Sequence, residues 1–152
     1  RFTFPRQPDR DRLCLADYFR PENGAGPADV IALQVVTSGD RAAEFIARRN
    51  AQGDYSEGYY LHGFSVQTAE GAAEYVNRLV RRELGIGEPR GLRYSWGYPA
   101  CPDLEQHEVL FRILPVEETI GVGLTPAYQL DPEQSTAALV VHHPAARYFA
   151  AA

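Results

Sequence analysis

The stretch from Asp54 to Leu84 constrains this chain more than any other. Ala69, Ala72, Ala73, Val76, Leu79, Val80 and Leu84 recur at the three-and-four spacing of a single helix face. Gly53 stands before the stretch, and Gly85 and Gly87 follow it, so a long helix over about 54–84 is predicted. Gly58, Gly63 and Gly71 fall inside it, each unfavourable by about 1 kcal/mol relative to alanine. Glycines so placed point either to close packing against another backbone or to a break near Gly63.

A helix with one apolar face needs a partner layer, and the flanking sequence supplies strands. Residues 29–37 (DVIALQVVT) are rich in β-branched side chains, and their near-continuous apolar character predicts a strand buried on both faces. Ser38 or Asp40 is the expected N-cap of a helix over 41–52, which carries Ala43, Phe45 and Ile46 and an i,i+4 pair of Glu44 with Arg48. Residues 88–103 read as a long connection, followed by a helix over 104–114 with Asp103 as N-cap and Pro115 as its stop. Strands over 125–130 and 136–143 are expected to form a hairpin about Asp131-Pro132-Glu133-Gln134. Residues 1–27, punctuated by four prolines and an Asn23-Gly24 turn signal, read as irregular, with Leu13 to Ala16 dipping into the core. This order predicts an α+β fold: a single domain with a mainly antiparallel twisted sheet, packed with a long central helix and two or more shorter helices.

Charge and motif content narrow the function. The net charge is -5, and all 15 basic residues are arginine. The tight cluster Arg78, Arg81 and Arg82 lies among Glu70, Glu74 and Glu83 and reads as a solvated helix face, so no nucleic-acid partner is expected. No run approaches the ~20 apolar residues that span a bilayer, so no membrane partner is expected either. Cys14 and Cys101 stand far apart without a CxxC pattern, which makes a reduced cytoplasmic protein the expectation. The chain opens on Arg1 and contains no methionine, and so reads as a fragment or a processed chain. It carries no GxGxxG, Walker A, HExxH or GxSxG pattern. Adjacent His142 and His143 point to opposite faces of a strand and are not expected to share a metal ion. His62 and His107 stand alone on helices in surface or capped roles, and Glu117-Glu118 reads as a solvated loop. No catalytic residue and no metal ligand is assigned.

The segment Arg93 to Pro102 (RYSWGYPACP) is different. It offers a guanidinium suited to gripping a carboxylate, three aromatic rings able to take a purine or a sulfonium, and a glycine permitting close backbone approach. The same residues would serve equally as a buried loop staple, and composition alone favours neither.

The motif R-x-x-x-G-Y, realised as Arg93-Tyr94-Ser95-Trp96-Gly97-Tyr98 and continued by Pro99-Ala100-Cys101-Pro102-Asp103, resembles the signature of the reactivation domain of cobalamin-dependent methionine synthases. FPRQ at Phe4 to Gln7, LADYF at Leu15 to Phe19, AEGAAEYVNRLVRREL at Ala69 to Leu84 and HHPAARYF at His142 to Phe149 resemble the same family in the same order.

The resemblance implies a domain that presents S-adenosylmethionine to cobalamin held mainly by another domain of the same enzyme. When the cobalamin has been oxidised to an inactive form, one electron from flavodoxin or a flavoprotein reductase accompanies methyl transfer to cobalt. It further implies that Arg93 pairs with the ligand carboxylate and that the backbone of Tyr94, Ser95, Trp96 and Gly97 lines the nucleoside. Tyr98 would lie near the corrin, with Glu70 an acid at the site and Tyr148 an aromatic ligand neighbour. Family members carry an upstream segment whose acid also touches the ligand, and some have a longer acid-bearing loop before the arginine; Ala150 to Ala152 reads as a truncated or shortened tail. The alternative is an interaction module that caps a cobalamin-binding domain or a partner protein without binding S-adenosylmethionine.

Overall fold

The long helix forms as one piece. In the computed structural model, which describes residues 1–21, 26–27, 29–87 and 91–151, helix α2 spans Tyr55–Glu83. The Asp54 carboxylate accepts from the Glu57 amide at 3.3 Å to start it. Gly85, at φ +65°, ends it and donates to the Arg82 carbonyl. The expected break near Gly63 is absent, and a Cβ at Gly63 or Gly71 would meet nothing within 4 Å. Gly58 alone lies close to a neighbour, because a Cβ there would overlap the Asn50 side-chain oxygen.

The buried line of α2 is Gly58, Ser65, Ala69, Ala73 and Asn77. Ala72, Val76, Leu79 and Val80 are only half-buried, and Leu84 is exposed, so the expected apolar face is displaced toward smaller residues. Small side chains let the helix axis approach the sheet, and the larger ones fill the flanks. Side-chain amides then bridge the two layers: Gln34 Nε2 donates to the Ala73 carbonyl at 3.2 Å, and Asn77 Nδ2 to the Gly91 carbonyl at 3.3 Å.

The sheet has strand order β1-β5-β2, all antiparallel, with β1 at Ala32–Thr37, β2 at Leu92–Ser95 and β5 at Ser135–Val141. Gln34 faces Ala138, and Arg93 faces Val140. Since Gln34 reaches α2, the alternation of a strand puts Ala138, Val140, Arg93 and Ser95 on the helix side. Ala137, Leu139, Val141 and Tyr94 face the opposite side, where they pack with Leu15, Tyr18, Trp96 and Leu110. Leu110 comes from α3 (Gln106–Ile113), and Leu15 and Tyr18 from a 3-10 turn at Leu15–Tyr18.

Several expectations are corrected by this arrangement. β1 is an edge strand, and within it only Gln34 is fully buried; Val30 and Ile31, expected inside it, are exposed. The doubly buried place belongs to β5, which pairs with β1 and β2 and not with 125–130. The hairpin lies one step earlier, between β3 (Gly123–Leu124) and β4 (Leu130–Asp131), around a turn closed by Thr125 N to Gln129 O at 2.8 Å. Residues 92–95, expected within a connection, are β2.

Helix α1 runs Asp40–Ala51 with Gly39 at its N-cap; Ser38 does not cap it, because its hydroxyl donates to the Ser65 carbonyl at 2.6 Å. Arg48 lies over the Phe45 ring, and no Glu44–Arg48 ion pair forms. Asp103 accepts from the Glu105 amide just ahead of α3. Glu117 and Glu118 occupy the first turn of a short helix α4 (Val116–Ile120), not a loop. The Asn23-Gly24 signal, Pro89 and Ala152 lie outside the described residues.

Gly63→Ala and Gly71→Ala are each expected to raise unfolding free energy by about 0.5–1 kcal/mol in urea titrations, since both sit in open helix interior. Gly58→Ala is expected to fall short of that gain, because Asn50 must rotate away.

Candidate functional site

β2 leaves one of its edges unpaired, and a hollow of about 560 Å³ lies beside it. Its floor comes from β2 itself (Arg93, Tyr94, Ser95), one wall from Tyr98 to Cys101, one from Tyr148 to Ala150, and Glu70 of α2 closes the end. An edge strand directs the amides and carbonyls of alternate residues away from the sheet, so this floor presents backbone polar groups to whatever enters.

Arg93 is on the helix side of β2, which is why Glu70 reaches it. Its Nη2 lies 2.7 Å from Glu70 Oε2, with the arginine side chain 17% and the glutamate side chain 36% exposed. A charge-assisted bond in so sheltered a place orients the guanidinium across the hollow. One carboxylate satisfies at most two of the five donors that the fork carries.

Tyr94, on the opposite side, has its ring buried and its hydroxyl donating to the Arg147 carbonyl at 2.7 Å. Burial holds this phenol well above the ordinary tyrosine range, so it stays a donor. Tyr94 also meets the Tyr148 ring at 5.3 Å between centroids. Past Ser95 the chain folds into a tight turn. Gly97, at φ +86°, donates to the Cys101 carbonyl, and a Cβ there would sit 3.0 Å from Leu104. The Cys101 thiol donates to the Ser95 carbonyl at 2.9 Å, and burial pushes it up to about 12, so it stays protonated and pins the turn.

The structure thus brings Glu70, Arg93, Tyr94, Ser95, Tyr98 and Tyr148 to one hollow and keeps two expected residues out of its lining. Trp96 is 4% exposed and packs against Phe2 at 5.4 Å and His107 at 5.6 Å, so its ring belongs to the core. Gly97 shapes the turn behind the hollow. Of the three rings in the motif, only Tyr98 is open, at 61% exposure; the second open ring is Tyr148, at 68%, from the far end of the chain. Pro99, Ala100, Cys101, Phe149 and Ala150 also line the hollow, and no periodicity marks them in sequence. The end of the chain is docked, with the buried Ala151 donating to the Pro99 carbonyl at 2.9 Å.

A second hollow of about 500 Å³ shares Glu70, Ser95 and Tyr98 with the first. His107 lines it. Expected in a surface or capped role, this histidine is buried, with Nδ1 2.8 Å from the Tyr128 carbonyl, and burial lowers its affinity for a proton. The described residues contain no group of three or more His, Cys, Asp or Glu placed to hold a metal ion, and no described helix is long and apolar enough to cross a membrane. What the hollow can do is bind and orient: a fixed cation–anion pair at one end, a backbone edge as floor and two open phenol rings at the rim.

Comparison with known proteins identifies a family and a fold. The model of the family described as "Vitamin B12 dependent methionine synthase, activation domain" matches residues 1–152. The methionine synthase of Mycobacterium leprae (strain TN) is 39% identical over 171 residues, covering 98% of this chain and 14% of that protein. That of Mycobacterium tuberculosis (strain ATCC 25618 / H37Rv) is 40% identical with the same coverage. The chain therefore spans about one-seventh of these curated relatives, 14% of their length. A crystal structure of the MetH reactivation domain bound to AdoHcy superposes with a TM-score of 0.88 at 28% identity, covering 98% of this chain and 51% of that one.

Because Tyr94 is raised in the folded chain relative to its value when unfolded, the folded state holds its proton longer. Its contribution to stability is complete below about pH 10 and is lost as pH rises toward the folded value. Unfolding followed by denaturant from pH 8 to 11 should show this decline, and Tyr94→Phe should be less stable at pH 8 by about 1 kcal/mol with a flatter alkaline limb.

Proposed function

The chain belongs to the family of vitamin B12-dependent methionine synthase activation domains, and on that premise we propose that it binds S-adenosylmethionine beside β2 and presents the methyl group to cobalamin. The parent enzyme is then a cobalamin-dependent methyltransferase of methionine biosynthesis, reactivated reductively by this domain. The observation that carries the reading is the Arg93–Glu70 pair fixed at the end of a ligand-sized hollow.

The residues suit the ligand part by part. Arg93 offers donors to an α-carboxylate, and Glu70 beside it complements an α-ammonium. The β2 edge from Tyr94 to Ser95 supplies backbone partners for a nucleoside, with Trp96 and Gly97 holding the turn that follows. Tyr148 offers a phenol face at one wall, where aromatic rings favour a purine or a sulfonium. A corrin exceeds the hollow, so this chain meets it only at the rim, where Tyr98 stands exposed; the cobalamin is held mainly by another domain of the same enzyme. Bound together, the two groups supply the chemistry: the sulfonium gives up its methyl to cobalt while one electron from flavodoxin or a flavoprotein reductase balances the reduction. The protein's share is proximity and alignment, which needs no side-chain acid, base or nucleophile. A cytoplasmic setting accords with the unpaired thiols of Cys14 and Cys101.

The competing reading, an interaction module that does not bind the ligand, draws on the same pair, because Glu70 already engages Arg93. Isothermal titration with S-adenosylmethionine separates them. Arg93→Ala is expected to weaken binding by about tenfold to a hundredfold, as for a lost charge-assisted bond of about 1.5–3 kcal/mol, and Arg93→Lys should recover only part of it. Equal affinity of wild type and Arg93→Ala would remove the basis for the proposal.

A further inference from the structure

The wall of the hollow that carries Tyr148, Phe149 and Ala150 has no regular secondary structure and no strand partner to hold it. Phe149 packs against the core and Arg147 pairs with Asp11, and single hydrogen bonds from other parts of the chain fix the backbone between them. The Tyr94 hydroxyl takes the Arg147 carbonyl at 2.7 Å, and the Ala151 amide takes the Pro99 carbonyl at 2.9 Å. Between them, Gln7 Nε2 donates to the Ala150 carbonyl at 2.7 Å.

Gln7 does not line the hollow, yet it is buried and its amide is used at both ends. Its Oε1 accepts from the Leu13 amide at 3.2 Å, while its own backbone N–H donates to the Leu13 carbonyl at 2.9 Å. A primary amide has one accepting and one donating end. With the oxygen committed to an N–H, the nitrogen must face a carbonyl, and Ala150 supplies it. The loop 7–13 is in turn braced by Arg6 paired with Asp17 at 2.7 Å. The hollow's terminal wall is thus hung from a loop at the opposite end of the chain.

We propose that Gln7 is a positioning residue for ligand binding: through the Ala150 carbonyl it fixes the segment 147–151 and so sets where Tyr148 and Phe149 stand in the hollow. The inference rests on the hollow being the S-adenosylmethionine site. It assigns Gln7 no contact with the ligand. The wall is pre-organised in the free chain, so the ordering of 147–151 does not have to be met from binding energy.

The experiment compares wild type, Gln7→Met, Gln7→Glu and Ile46→Val, a core variant in α1 remote from the hollow. S-Adenosylmethionine affinity, melting temperature and amide hydrogen exchange are measured on each. Gln7→Met removes both side-chain bonds, and Gln7→Glu keeps the acceptor for Leu13 while losing the donor to Ala150. Both are expected to bind about tenfold more weakly, the equivalent of one lost buried hydrogen bond. Ile46→Val, although less stable, should bind as wild type does. In the ligand-free Gln7 variants, exchange should quicken across 147–151 and stay unchanged in β5. Wild-type affinity in both Gln7 variants, or unchanged exchange in 147–151, overturns the assignment while leaving the ligand site standing. A wild type that does not bind S-adenosylmethionine overturns both.

Discussion

β5 has to be buried on both faces, and the rest of the structure answers that requirement. Six of its seven residues are buried, from Thr136 to Val141. A strand so apolar is stable only with a strand on each side and a layer over each face. β1 and β2 supply the sides. α2 covers Ala138 and Val140, while Leu15, Tyr18, Trp96 and Leu110 cover Ala137, Leu139 and Val141. Each fully buried leucine or valine of the strand contributes about 1.5–3 kcal/mol.

That requirement also creates the site. β2 is short and pairs on one side only, so its free edge becomes the floor of the hollow. The pleat divides the motif between two tasks. Arg93 falls on the side of α2 and meets Glu70, while Tyr94 falls on the core side and ties down the terminal segment. Trp96, just past the strand, joins the core, and Gly97 turns the chain so that Tyr98 emerges at the rim. One stretch of sequence therefore supplies both a buried staple and part of the lining of the hollow.

One wall of the hollow is tied to both ends of the chain. Residues 148–150 are placed by bonds from Tyr94, Gln7 and, through Ala151, Pro99, and the bond from Gln7 to Ala150 closes a separation of 143 residues. A backbone held at these directional contacts responds to single-atom changes that leave the sheet intact.

What depends on nearest neighbours was legible in the sequence. The long helix, α1, α3 with Pro115 behind it and the dip of Cys14 and Leu15 into the core all follow from short-range patterning. The family resemblance added which residues gather: Glu70, Arg93, Tyr98 and Tyr148 do surround one hollow. What no local pattern reveals is which strand is central. β1 and β5 are both rich in apolar residues, and only the availability of cover on two faces decides between them. The same holds for which rings are buried, for β2 in place of a loop, for His107 inside rather than outside, and for Gln7 as an anchor. Each turns on a partner far along the chain, and such partners are chosen by strand register and layer packing, which exist only once the sheet has formed.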